Sequence, residues 1–422
     1  MRLPILATAA LATAGLALAT LLPAAADADT TGNGNYVVNP LLVKSSIKAG
    51  TSPKALPTPA QCLASSGFAC NTVSSIRAAY DIPATVDGEP AGTGQTIVIV
   101  DAYGSPTAQA DLDTFSAAMG IPSTKLNVYY PVGKVAWHGT DLENNWAGET
   151  SLDVQWAHAV APGATIDLVV SQVPKNQVMN NAIRWAADNL PATAISMSFG
   201  SDEVGVTGNS GQFAQTHTIF EDAAAKGITM FASSGDGGAD DATGSSTFSS
   251  PADDPLVTAV GGTLLQPSAA GAPQESTWDD FTGCPFGCTS GVFGATGGAP
   301  SLDTAKGGSD VAYNASVYSG VLVYQGFSAN PDDAGFYFTG GTSAGSPQWA
   351  GIDADLAQKA GHRLGNINGS LATWATAGAL HDVTSGDNRT ATFTGGYDAK
   401  TGWDVPTGYG TPDAGKLLSL VH

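Results

Sequence analysis

TIVIV (Thr96–Val100), TIDLVV (Thr165–Val170), AISMSF (Ala194–Phe199) and GITMFAS (Gly227–Ser233) are four short apolar runs spaced along the middle of the chain. Continuous apolar runs of this length suit strands buried on both faces, as in a parallel sheet. Helical stretches separate them, including QVMNNAIRWAADNL (Gln177–Leu190) and FAQTHTIFEDAAAKG (Phe213–Gly227). Parallel neighbours need a crossover, and a helix lying on the sheet supplies it. The alternation predicts an α/β fold, a parallel sheet with helices on both faces.

Outward from this block the patterns weaken. Residues 266–335 are rich in Gly, Ser and Asp and read as long loops; a helical period returns after Gly345 and a loop-rich tail follows. Residues 27–75 are rich in Thr, Ser, Pro and Asn and read as an extended arm preceding a single domain over 76–422. Residues 1–26 read as an export signal: Arg2, an apolar run from Ile5 to Leu22, then Ala24-Ala25-Ala26 as a small-residue cleavage site. A membrane anchor is the rival reading of that run, and its Ala/Thr content favours cleavage. The chain is therefore expected to be secreted. No internal repeat is present.

Of 422 residues 43% are hydrophobic, enough for a large core, and acids outnumber bases 37 to 16 for a net charge of −21. Such a charge argues against nucleic acid or an anionic membrane as partner. It suits a protein that stays soluble in acid. The four cysteines, Cys62, Cys70, Cys284 and Cys288, allow three disulfide connectivities. Proximity in sequence favours Cys62–Cys70 and Cys284–Cys288. A zinc site is the alternative, weakened by the absence of a C-x-x-C pair and of a nearby histidine.

GGTSAGSPQWAGI (Gly340–Ile352) carries the first chemical signal. Two glycines permit a sharp turn, and a helical pattern (Trp349, Ile352, Leu356, Ala360) follows, so Ser343 is expected at a helix N-terminus where negative charge is favoured. A serine there can also be a plain N-cap. The second signal is GETSLDVQWAHAVAPGA (Gly148–Ala164). Pro162-Gly163 end its helix near Ala161. Leu152, Trp156 and Val160 form an apolar stripe, and Glu149 and Asp153 fall on it one turn apart, with Ser151, Gln155 and His158 turned away. Two acids on a core-facing stripe are costly unless paired or protonated, and such conflicts mark sites. Third, Asp236 follows the strand GITMFAS, at the strand end where open α/β sheets bind ligands; an Asp-Gly turn is the plain alternative.

Together these segments resemble the sedolisin family of serine-carboxyl peptidases, which have a subtilisin-like fold. The resemblance covers about residues 76–422 and includes FSSPADDPLVTAVGGT (Phe248–Thr263). It implies hydrolysis of peptide bonds in peptide or protein substrates at acidic pH by a monomer. Ser343 would be the nucleophile, Glu149 its general base, Asp153 the support of Glu149, and Asp236 the protonated donor to the oxyanion. It also implies one structural calcium ion, held by the carboxylates of Asp382 and Asp404 and the carbonyls of Val383, Lys400 and Gly402. Several features depart from the family. Family members usually carry a large prodomain, and the some 50 residues that follow the expected signal here are expected to be too few for it. Asp101 replaces a glutamate of some members, Phe199 stands where Trp is common, and the S-G-G-G-x-S loop appears only as GATGGAPS (Gly294–Ser301). Two rivals are an ordinary subtilase with Asp101, His138 and Ser343 as its triad, and a non-catalytic secreted module. Against the first, His138 is followed by Gly139-Thr140-Asp141-Leu142 rather than the subtilase motif. The second has no need of all four site residues.

Overall fold

The computed structural model describes residues 36–50, 56–134, 136–203, 210–241, 243–266, 274–281, 294–302, 304–390 and 393–422. The expected signal and the Cys284–Cys288 pair lie outside these residues. The strands used below are β1 (Val43–Gly50), β2 (Thr96–Ala102), β3 (Leu126–Tyr129), β4 (Thr165–Ser171), β5 (Ala194–Met197), β6 (Thr229–Ser233), β7 (Val257–Gln266), β8 (Gln274–Thr277), β9 (Val311–Asn314), β10 (Val321–Gln325) and β11 (Gly335–Gly340). The helices are α1 (Ala108–Met119), α2 (Asp141–Val160), α3 (Asn176–Asn189), α4 (Ser210–Ala225) and α5 (Gly345–Ala360).

The central sheet has the order β8-β7-β6-β5-β2-β4-β3, with β9 also pairing β7. Every pairing is parallel except β8 with β7. Side chains alternate along a strand, and β2 divides its residues accordingly. Ile97 and Ile99 enter a core with Leu152 and Trp156 of α2 and Trp349 and Ile352 of α5. Val98, Val100 and Ala102 enter the other, with Met179 and Ile183 of α3 and Phe220 of α4. The four runs and the helices on both faces match the sequence expectation.

Three expectations change. The arm is not simply extended: Pro59–Ser66 and Val73–Ala79 are helical, each opened by a capping box, Thr58 with Gln61 and Thr72 with Ser75. These short polar boxes offer a helix-start signal, but the helices are too short to show an apolar period. Cys62 and Cys70 form the local disulfide. The region read as loops supplies β8, β9 and β10. Finally, α2 is not amphipathic but buried on all sides from Trp146 to Val160. An outer layer covers its polar side: Gln155 Nε2 donates to the Tyr324 carbonyl at 2.7 Å and Gln155 Oε1 accepts from Tyr324 N at 2.9 Å. His158 meets the Pro122 carbonyl at 2.7 Å.

Candidate active site

Helix α2 starts at a capping box, in which Thr140 Oγ1 accepts from Glu143 N at 3.2 Å and Glu143 Oε2 accepts from Thr140 N at 2.9 Å. It packs against β2, β4 and α5. One turn apart on it, Glu149 and Asp153 are both fully buried. By the alternation of β2, Asp101 points to the same face as Ile97 and Ile99, toward α2, and it too is fully buried. None of the six carboxyl oxygens has a hydrogen bond of standard geometry. No cation offsets their burial, so their neutral forms are favoured. Burial, then the charges of Asp153 and Asp101, raise Glu149 well above the ordinary carboxylate range; the nearby Ser343 hydroxyl opposes this. Asp153 is also raised well above its usual value, by burial and then by Asp101, against contacts with Ser198 and Glu149. Burial pushes Asp101 up to about 7, with the Thr150 hydroxyl opposing.

Ser343 sits in the single turn Thr342–Ala344 that leads into α5. It is not the N-cap; Ala344 is, without a capping side chain. The Ser343 hydroxyl is free of capping duty and donates to the Ser198 carbonyl at 3.3 Å. That bond is long, and Glu149 is close enough for the hydroxyl to affect its titration without a standard hydrogen bond; catalytic contacts in free enzymes are commonly this loose.

Asp236 follows β6 at the sheet's C-terminal edge. Its Oδ1 accepts from Thr342 N and from Thr342 Oγ1, both at 2.8 Å. Its Oδ2 is buried without a partner. With Oδ1 committed twice as acceptor, the proton of the neutral acid belongs on Oδ2. Burial pushes Asp236 up to about 8, against the two Thr342 bonds and with help from the charges of Asp241 and Asp280. Gly341 makes room for this oxygen: φ is +89° and a Cβ there would lie 2.5 Å from Asp236 Oδ2. The backbone N–H of Ser343 and the Oδ2 position thus flank the same glycine.

The sequence reading thus named residues that the fold brings together: Ser343, Glu149, Asp153, Asp101 and Asp236. His138 stands apart. It is exposed, beyond the first turn of α2, and Glu149 lies about 12 Å further along the helix at 1.5 Å per residue. Sequence reasoning missed Ser198 and Thr342. Ser198 follows β5, where strand ends place ligand groups; that position was its one available signal. Thr342 lay in plain view within Gly-Thr-Ser, but only the fold shows that it holds Asp236.

Asp382 and Asp404 also come together, through the turn between residues 400 and 404. Asp382 Oδ2 accepts from Gly402 N at 2.9 Å, and Asp404 Oδ2 accepts from Lys400 N at 3.0 Å. Asp404 is buried and raised, by burial first and by the Asp382 charge among lesser causes. Among the described residues no cationic side chain pairs with either.

No family model matches the chain. Kumamolisin of Bacillus sp. (strain MN-32) is 31% identical to it over 367 residues, 83% of this chain and 63% of that protein. Sedolisin of Pseudomonas sp. (strain 101) is 29% identical over 361 residues, 79% of this chain and 59% of that protein. The chain therefore spans about three fifths of the length of these curated relatives. Among solved structures, Pseudomonas sedolisin, described as a serine-carboxyl proteinase complexed with two molecules of pseudo-iodotyrostatin, is similar with a TM-score of 0.69 and 28% identity, covering 83% of this chain and 97% of that one. Fervidolysin from Fervidobacterium pennivorans, a keratinolytic enzyme related to subtilisin, has a TM-score of 0.53 at 18% identity over 91% of this chain and 51% of its own, which shows a subtilisin-like fold and nothing more. On sequence and structure together, this chain is similar to the serine-carboxyl peptidases of the sedolisin family.

Proposed function

We propose that this protein is a secreted serine-carboxyl peptidase, acting as a monomer, that hydrolyses peptide bonds in proteins at acidic pH through an acyl-enzyme on Ser343. The observation that carries this reading is the burial of Glu149, Asp153 and Asp101 together beside Ser343, with neither histidine nor cation among them.

Serine needs a base to attack a carbonyl. Three coupled carboxyls that share two protons hold one negative charge, and Glu149 is the member that borders the Ser343 hydroxyl. It takes the Ser343 proton as Oγ attacks, while Asp153 and Asp101 spread the remaining protons over the network. The developing oxyanion is met by Ser343 N–H and by the proton on Asp236 Oδ2. A neutral carboxylic acid can serve as such a donor when its site keeps it protonated, and burial supplies that condition here. Glu149 then returns its proton to the leaving amine, and water resolves the ester by the same route. The test is the pH profile of peptide hydrolysis with Ser343→Ala as control; turnover confined to alkaline pH would overturn the reading.

The proposal includes one structural calcium ion. The donor set fits: Asp382 and Asp404 are two neighbouring carboxylates without a cation, and hard divalent ions take carboxylate and carbonyl oxygens. Asp382 and Asp404, with the carbonyls of Val383, Lys400 and Gly402, would hold it, and it would cross-link the two loops and neutralise their charge. Export by residues 1–26 belongs to the same proposal. No described helix is long and apolar enough to cross a membrane.

A further inference from the structure

Asp280 is a further buried carboxyl near the oxyanion side of the site. Its Oδ1 accepts from the Ser316 hydroxyl at 2.6 Å, and its Oδ2 accepts from Val317 N at 3.3 Å. Both donors belong to the turn that follows β9. Ser316 caps the single helical turn Val317–Ser319, its Oγ accepting from Tyr318 N at 3.2 Å, so the hydroxyl proton is free to go to Asp280. The same turn is fastened to β7, where the Thr263 carbonyl accepts from Ala315 N at 2.8 Å and from Ser316 N at 3.1 Å.

This turn carries the two glycines that precede the nucleophile. The Ala315 carbonyl accepts from Gly341 N at 2.7 Å. A Cβ on Gly340 would meet that carbonyl oxygen and lie 3.0 Å from Val317 N, so the backbones approach more closely than a side chain would allow. Ser343 N donates to the Leu41 carbonyl at 3.0 Å. A Cβ on Gly341 would lie 2.5 Å from that carbonyl oxygen and 2.5 Å from Asp236 Oδ2. Gly341 therefore borders both the acceptor of Ser343 N–H and the second donor. On its other side the segment 278–280 is tied to the backbone of Asp236. Asp280 N donates to the Gly294 carbonyl at 2.8 Å, Thr296 N donates to the Trp278 carbonyl at 3.0 Å, and Ala295 N, between them, donates to the Asp236 carbonyl at 3.0 Å. Ser343 N–H and Asp236 come from distant parts of the chain. The Thr342 bonds join them from within the site, and the segment of Asp280 joins them from outside it.

We infer that Asp280 is a positioning residue for catalysis: by gripping Ser316 and Val317 it fixes Gly340 and Gly341, and so the spacing of the two oxyanion donors. The inference rests on the peptidase reading above. Asp280 touches no reacting atom and acts through the turn it holds. Burial pushes it up to about 7, with the Ser316 hydroxyl foremost among the opposing groups. In acid it is therefore neutral, and it places no fixed negative charge behind an oxygen that is becoming negative. A donor displaced by about 1 Å from a developing charge costs roughly 10²-fold in rate, which bounds what loss of this brace can do.

The test is steady-state hydrolysis by the full chain of an internally quenched peptide, selected as the one best cut by the parent from a mixed library, with a thermal melt of every variant. Asp280→Ala is expected to lower kcat roughly tenfold to hundredfold in acid, with KM changed less than about threefold. Asp280→Asn keeps an acceptor for Ser316 and loses only the longer bond from Val317 N, so it should regain most of that kcat. Asp280 and Asp236 serve one oxyanion, so Asp280→Ala should cost less in an Asp236→Asn background than alone. A carboxyl that only stabilises the fold predicts a lower melting temperature with kcat per folded molecule unchanged, or the same cost in both backgrounds; either result overturns the inference. Where Asp280→Ala does not fold, Ser316→Ala decides by removing the 2.6 Å bond: a loss of kcat at constant KM upholds the inference, and a parental kcat overturns it. A parent that shows no Ser343-dependent hydrolysis across acid pH sinks the peptidase reading itself, before any Asp280 variant is measured.

Discussion

Replacing Asp236 with Asn tests the donor directly, because the amide keeps every native contact and removes only the titration. Asn Oδ1 can still accept both Thr342 bonds, and its NH₂ donates where Oδ2–H stood. In the fold Asp236 is raised from 3.8 to about 8. A carboxyl raised in this way favours the fold fully below its unfolded pKa, and that contribution is lost as pH rises through the folded value. Between pH 4.5 and 7 the unfolded chain is ionised at this residue and the folded chain is not. The parent should therefore lose up to about 3 kcal/mol of stability there, at 1.36 kcal/mol per unit. Asp236 is only part-buried as a whole residue, so solvent screening makes that an upper figure. Asp236→Asn should lose correspondingly less over the same interval. The assay is denaturant unfolding at pH 4.5 and 7, with Ser343→Ala as common background to prevent self-digestion. Kinetically, the variant with Ser343 intact should keep a larger share of its activity above pH 8. Identical pH dependence of stability in the two chains would mean that Asp236 is ionised in the fold at neutral pH, and the donor assignment would fail.

Ser343→Ala should lose peptidase activity by about 10⁴ or more in kcat, whereas His138→Ala should retain most of it; equal losses in a peptide-hydrolysis assay would restore the histidine triad. Hydrolysis should be bell-shaped and centred in acid, at roughly pH 3–5 once substrate exchange opens the pocket to water, since free carboxyls titrate near pH 4. Its alkaline limb should fall no higher than the Asp236 value of about 8, and activity rising through neutrality would count against carboxyl catalysis. Excess chelator should lower the melting temperature through loss of a ligand bound only by the fold, and Asp382→Ala should blunt that response; a calcium-independent melt in both chains would remove the ion from the proposal.

Much of this molecule was legible in local sequence. The runs at Thr96, Thr165, Ala194 and Thr229 specify strands because β-branched residues in unbroken apolar stretches have few other stable places. Glu149 and Asp153 stood out because acids on an apolar stripe conflict with their surroundings, and Ser343 because its glycines and the helix after it define a turn. Long-range packing decided the rest. The polar side of α2 looked solvent-facing until β10 covered it, since a helix carries no record of which later strand will lie over Gln155. The strands between residues 266 and 335 were hidden because Gly and Ser dilute a short apolar signal. Asp101, Ser198 and Thr342 acquire their places only when strand ends and the α5 turn meet. The arm shows the division most clearly. Its residues show no periodicity, because an extended segment that pairs with an existing edge takes its conformation from that edge. Only the tertiary structure lays Leu41 against Ser343.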